Sequence, residues 1–103
     1  MADGQVTVVA TFKATPGMEG TVRSTIEAVI APTRAEPGCI NYDLHQSSDD
    51  PSIFMLYENW VSKKALDEHL AMPYLKDLVA KADAMLAEPI DIALYQMISE
   101  PAP

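Results

Sequence analysis

The side chains that could move a proton or hold an aromatic molecule gather in one stretch of this chain, between residues 34 and 69. His69 is the leading candidate for a general base, because a neutral imidazole titrates near working pH. It shares a short helical segment with Leu66 and Leu70, which would turn it toward an apolar interior. Glu58 shares a strand face with Phe54, Leu56 and Trp60. A carboxylate on such a face is costly unless it has a partner. It is read as orienting His69 or binding a substrate hydroxyl, or else as a structural partner of Arg34, Lys63 or backbone amides. Trp60, the only tryptophan, could stack on a planar ligand or anchor the core. Tyr42 could donate a hydrogen bond to a ligand oxygen or fill the core. Arg34 could bind an anionic group such as a phenolate or phosphate, or neutralise Glu36 or Glu58. Together these residues describe a pocket that holds an aromatic ligand and offers it a few proton donors and acceptors.

Other chemistries find little support. His45 and His69 are the only histidines, and no Cys/His spacing suggests zinc or another metal. Pro16-Gly17 and Pro37-Gly38 read as turns rather than phosphate-cradling loops, and no P-loop or nucleophile elbow is present. Cys39 is the single cysteine, which excludes an intrachain disulfide and fits a reducing, cytoplasmic setting. With no activating motif around it, Cys39 reads as a small buried residue rather than a nucleophile. The formal charge of −8 argues against nucleic acid and anionic membranes as partners. No apolar run approaches the roughly 20 residues needed to span a bilayer. The start, Met1-Ala2-Asp3-Gly4-Gln5, lacks the basic and apolar segments of a secretory signal.

Hydrophobic periodicity supplies the elements that must position these residues. Val6, Val8, Ala10 and Phe12 alternate with Thr7, Val9, Thr11 and Lys13 as a strand that Pro16-Gly17 ends. Met18, Val22, Ile26, Val29 and Ile30 recur at helical spacing over about 14 residues. Pro32 predicts an end or kink in that helix, and Pro37-Gly38 a turn. A second strand is expected from Cys39 to Gln46 and a third from Ser52 to Trp60, joined by the polar Ser47-Ser48-Asp49-Asp50-Pro51. Ser62 is placed to cap a short helix through Leu66, His69 and Leu70. Pro73 interrupts it and can open another helix, with Leu75, Leu78, Val79, Ala82, Met85 and Leu86 on one face. After Glu88-Pro89, Ile90, Ile92, Leu94, Gln96 and Ile98 alternate as a last strand, and residues 100–103 form a tail expected to be disordered.

The order β-α-β-β-α-β is the split βαβ arrangement of ferredoxin-like α+β folds, here one domain over residues 5–99. Its helices cover one sheet face. Yet the third strand is apolar on both, with Phe54 and Leu56 on one side and Ile53, Met55 and Tyr57 on the other. A solvated second face would be polar. This predicts a homodimer whose sheets pack face to face into a barrel-like core.

The run Arg34-Ala35-Glu36-Pro37-Gly38-Cys39-Ile40-Asn41-Tyr42, then Asp50-Pro51, Tyr57-Glu58-Asn59-Trp60 and Ala65-Leu66-Asp67-Glu68-His69-Leu70, resembles the antibiotic biosynthesis monooxygenase (ABM) domain family, which includes small quinol monooxygenases of the YgiN type. The resemblance covers about residues 5–99. It implies a dimeric α+β barrel with a pocket between sheet and helices. It also implies oxidation of an electron-rich quinol or polyphenol by O2 without flavin, haem, metal or other cofactor. Such a substrate, once deprotonated, reduces O2 itself, so the protein need only bind it, take a proton and stabilise the anion. His69 and Glu58 would then be catalytic, with Trp60, Tyr42 and Arg34 binding the small aromatic substrate. Many members place a second histidine after the proline that follows this segment. Here Pro73 is followed by Tyr74, which puts a two-imidazole mechanism in doubt and leaves Tyr74 to supply a phenolic hydrogen bond. Haem-degrading relatives use an Asn on the first strand, and Val6 to Lys13 has none. Two other readings compete: an isomerase of a small phosphorylated carbonyl compound, and a non-catalytic ligand-binding dimer.

Overall fold

The computed structural model of the chain describes residues 4–102. Its elements are β1 (Val6–Lys13), α1 (Glu19–Arg34), β2 (Cys39–Gln46), β3 (Ile53–Trp60), α2 (Lys63–Leu70), α3 (Pro73–Met85) and β4 (Asp91–Tyr95). The four strands make one antiparallel sheet in the order β2-β3-β1-β4. This is a ferredoxin-like α+β fold, with the second helical segment divided at Pro73.

Register explains which side chains meet inside. Tyr42, Glu58, Val8 and Leu94 stand side by side across the sheet, and Leu44, Leu56, Ala10 and Ile92 form the next row. Strand side chains alternate between faces, so Tyr42 and Glu58 point to the same side as the buried Val8, Ala10, Phe12, Phe54, Leu56 and Trp60. Helix α1 lays Val22, Ile26 and Val29 on the core, and α3 contributes Leu75, Leu78, Ala82 and Met85. Helix α2 is short but firmly started: Ser62 Oγ accepts the Ala65 N–H at 3.1 Å. Pro73 opens α3, where its missing N–H costs nothing.

Three boundaries differ from the periodic pattern. Helix α1 continues through Pro32 to Arg34; the Ala35 N–H still reaches Ala31 O at 3.2 Å, and Thr33 in the last turn is fully buried. Strand β3 starts at Ile53 rather than Ser52. Strand β4 covers five residues only, Asp91–Tyr95, and its ladder with β1 runs from Thr7–Tyr95 to Thr11–Asp91, shorter than the alternation from Ile90 to Ile98. Val79, expected on the buried face of α3, is exposed. Of the expected tail, residues 100–102 carry no regular structure, while Pro103, like Met1 to Asp3, lies outside the described residues. No helix among the described residues is long and apolar enough to cross a membrane.

Candidate active site

Between the sheet and helices α2 and α3 lies a small apolar cavity of about 40 Å³. Val8, Ala10, Phe12 and Leu56 form its floor, and Leu66, Leu75 and Leu78 its roof. Among the described residues its polar lining is confined to Tyr42, Glu58 and His69, and no lysine or arginine lines it. Leu70, Val79 and Ile92 also line it while remaining substantially exposed, which makes them its mouth.

His69 is buried on the inward face of α2, one helical turn after Ala65. Its Nδ1 lies 2.9 Å from Glu36 Oε2. Tyr74 donates its phenolic hydrogen to that same oxygen. An oxygen already accepting from Tyr74 is an acceptor for the imidazole too, so the ring proton belongs on Nδ1. That leaves Nε2, which makes no hydrogen bond within the described residues, with a free lone pair. The ring is held on its faces as well: Trp60 lies 4.5 Å away at a tilt of 32°, and Tyr42 meets it edge-on at 5.3 Å. Burial holds the imidazole below its ordinary pKa, with Glu36 pulling the other way. The neutral, proton-accepting form is thereby favoured.

Glu58 occupies the middle of the inner sheet face. Its Oε1 accepts the Trp60 indole N–H at 2.9 Å, the carboxyl's one hydrogen bond among the described residues. Burial pushes its pKa up to about 7; the indole bond opposes the rise and the charge of Glu36 adds to it. A carboxyl so placed is available as a proton donor near neutrality. Burial, reinforced by Glu58, also raises the Tyr42 phenol, which stays a protonated donor.

The expected roles are therefore redistributed. Glu36, not Glu58, orients His69. Neither Arg34 nor Lys63 pairs with Glu58: Lys63 bonds Asp67 at 2.6 Å on the surface. Arg34 does not line the cavity; it donates to Tyr42 O at 3.1 Å and pairs with Asp43 at 3.0 Å, beside a separate open groove between α1 and β2. Its pairing with Glu36 or Glu58 does not occur, because its guanidinium is held at the β2 edge of the sheet by Tyr42 O and Asp43. Trp60 is wholly buried and does not line the cavity, so it packs the imidazole rather than presenting a stacking platform. Tyr74 reaches Glu36 from α3, and burial with the Glu36 contact pushes its pKa up to about 12. Thr33 Oγ1 is buried near both phenols without a hydrogen bond of good geometry.

Glu36 is the residue beside the candidate base that the sequence offered only as a partner for Arg34. Its partners are 33 and 38 residues away, so no helical or strand spacing links them. The available signal was its place before Pro37-Gly38, where a carboxylate ends a helix and is drawn inward by the turn. Cys39 follows on β2, its thiol pushed up to about 11 by burial and by the charges of Glu36 and Glu58. Among the described residues no cluster of three or more His, Cys, Asp or Glu could hold a metal ion.

Comparison with known proteins agrees with this architecture. The family profile "Antibiotic biosynthesis monooxygenase" matches residues 5–81. The Mycobacterium tuberculosis protein Rv0793, which carries the provisional name of a monooxygenase, is 35% identical over 95 residues, 92% of this chain and 93% of that protein. Its solved structure superposes with a TM-score of 0.90 over 96% of this chain and 100% of that chain. The structure of PA3566 from Pseudomonas aeruginosa gives a TM-score of 0.89 at 29% identity, covering 96% and 99% of the two chains. An uncharacterised Synechocystis protein, sll1783, is 31% identical over 93% of this chain, which spans 65% of that protein's length. By the profile match and by these similarities over nearly its full length, the chain belongs to the antibiotic biosynthesis monooxygenase family.

Proposed function

We propose that the chain is a monooxygenase that oxidises an electron-rich quinol or polyphenol with O2, using His69 Nε2 to take the phenolic proton. The observation that carries this reading is a buried imidazole fixed by Glu36 through Nδ1, lining an apolar cavity beside a second carboxyl that titrates near neutrality. A quinol bound there loses its hydroxyl proton to His69. The phenolate gives one electron to O2, and the resulting superoxide joins the substrate radical at a ring carbon to form a C–O bond. The peroxide O–O bond then breaks as that carbon loses its hydrogen. One oxygen stays as a carbonyl and the other leaves as water, protonated by Glu58 or by His69. A hydroquinone thus becomes a hydroxyquinone: the substrate supplies all four electrons, and no separate reductant enters the balance.

The lining also informs the substrate. A phosphorylated carbonyl compound would find no cation in this cavity, since Arg34 is tied to Asp43 outside it. A neutral aromatic suits it, entering as Leu70, Val79 and Ile92 part, because the resting cavity holds only a few waters' volume. The outer sheet face, where Val9, Met55 and Tyr57 are only partly covered, supports assembly as a homodimer.

The test is oxygen consumption by the metal-stripped protein over a panel of hydroquinones and anthrones, corrected for autoxidation, with sedimentation of the same sample. Saturable uptake that collapses in His69→Ala by at least about a hundredfold, from a species of two-chain mass, is expected. Uptake no faster than autoxidation across the panel leaves a ligand-binding protein instead, and a one-chain mass removes the dimer.

A further inference from the structure

The turn Glu36-Pro37-Gly38 meets α2 through Gly38 at Ala65 and through Glu36 at His69. A Cβ on Gly38 would stand 2.3 Å from Ala65 Cβ and 3.3 Å from Val61 Cγ2, against an ordinary contact of 3.4–4 Å. The turn is clamped there by backbone bonds: the Val61 N–H donates to Gly38 O at 2.9 Å, and the Cys39 N–H to Glu36 O at 3.1 Å. Ala65 and His69 are four residues apart on α2 and so share one face. The turn that rests its glycine on Ala65 is therefore the turn that sends Glu36 to His69.

We propose that Glu36 is the positioning residue that fixes His69 as its Nδ1–H tautomer, and that the close Gly38–Ala65 contact sets the reach of Glu36 to the ring. A free imidazole favours its proton on Nε2, where it could not act as a base toward the cavity. An acceptor at Nδ1 reverses that preference, and the reversal depends on distance. Making room for a Cβ at Gly38 moves the turn off α2 by more than an ångström. Carried to Glu36, that displacement stretches a 2.9 Å bond past hydrogen-bonding range. Glycine at this position thus permits a close approach of backbone to helix, and the approach serves the imidazole. The catalytic meaning of the device rests on His69 being the base; the tautomer assignment does not.

The experiment is nitrogen NMR of the imidazoles, which is tractable because the chain has two histidines and His45→Gln identifies the other. In the unaltered protein His69 is expected with its proton on Nδ1 and Nε2 bare. Glu36→Ala, which removes the acceptor, and Gly38→Ala are each expected to shift the proton toward Nε2. The double variant Gly38→Ala/Ala65→Gly, which deletes the nearest clashing atom, is expected to return it to Nδ1. Quinol-dependent oxygen uptake should follow the ring: about a hundredfold lower kcat in the two single variants with KM little changed, and recovery in the double variant. A proton on Nε2 in the unaltered protein overturns the proposal, as does a Gly38→Ala protein whose tautomer is unchanged. If Gly38→Ala does not fold, a folded double variant decides, its proton on Nδ1 supporting the proposal and on Nε2 overturning it. The expected tautomers without quinol oxidation in any sample would uphold the positioning role while removing the monooxygenase reading.

Discussion

Two buried carboxyls meet the same packed pair of rings, Glu36 bonding the His69 imidazole and Glu58 the Trp60 indole, and their surroundings differ. Glu36 hangs from a turn and meets two donors, His69 Nδ1–H and the Tyr74 hydroxyl, on one oxygen. Glu58 is fixed in mid-strand among Val8, Leu56 and Tyr42 and meets one, the Trp60 indole. The single bond does not offset the loss of water, and its pKa climbs to about 7. The lesson is that one donor does not make up for the water a buried carboxyl loses, which leaves Glu58 ready to give a proton near neutrality.

The comparison breaks first at Glu36. Glu36→Ala leaves a buried imidazole N–H and a phenol without their acceptor, and two bonds to a charged group are together worth about 4 kcal/mol. Urea unfolding at pH 7 should show a loss of that order; a loss below about 1 kcal/mol would mean that the two donors find water or other partners.

Glu58 should act next, and through pH. Its folded pKa is raised above the usual carboxyl value, so the native state holds a proton that the unfolded chain releases. Its contribution is therefore complete below about pH 4.5 and lost as pH rises through about 7. The loss is about 3 kcal/mol. His69, with its pKa lowered by burial, acts in the opposite direction, since the native state sheds a proton that the unfolded chain keeps until about 6.5. The two slopes partly cancel in the unaltered protein. Glu58→Gln removes one, so stability measured from pH 4.5 to 8 should rise with pH in the variant relative to the parent. Parallel curves would show that Glu58 does not titrate abnormally.

The smallest effect sharpens the count of donors. Tyr74→Phe removes one of the two bonds on Glu36 from a partly exposed site and should cost about 1 kcal/mol in the same urea measurement. An equal loss from Tyr74→Phe and Glu36→Ala would place all the acceptor's value on the phenol and none on the imidazole.

The fold was legible because alternation and helical spacing are local signals with global consequences. The run from Cys39 to Gln46 marked β2 at both its ends, and Ser62 and Pro73 marked where α2 and α3 begin. Where the reading slipped, a non-local fact intervened. Pro32 does not end α1, because burial of Thr33 and the bond from Arg34 to Tyr42 O secure the following turn. The alternation from Ile90 to Ile98 overstates β4, whose ladder with β1 spans Asp91 to Tyr95. His69, Glu58 and Tyr42 could be sensed as polar groups in apolar rows, and the structure brings all three to one cavity. The assignment of partners could not be sensed. Glu58 shares its face with Trp60, two residues along the same strand, and that contact displaces Arg34 and Lys63. Glu36 reaches His69 from a turn whose glycine packs against the Ala65 side chain, a fact written in three dimensions.

Cys39 draws the two carboxyls together a last time. A thiol reacts with peroxide as the thiolate, which attacks the peroxide oxygen, and burial together with the charges of Glu36 and Glu58 holds this one protonated, with its pKa raised to about 11. On the proposed reaction, every cycle forms a hydroperoxide in the same small domain as its sole sulfhydryl. On that reading, burial and the two carboxyl charges also slow self-oxidation, which ties the lifetime of the protein under turnover to the same electrostatics as its chemistry.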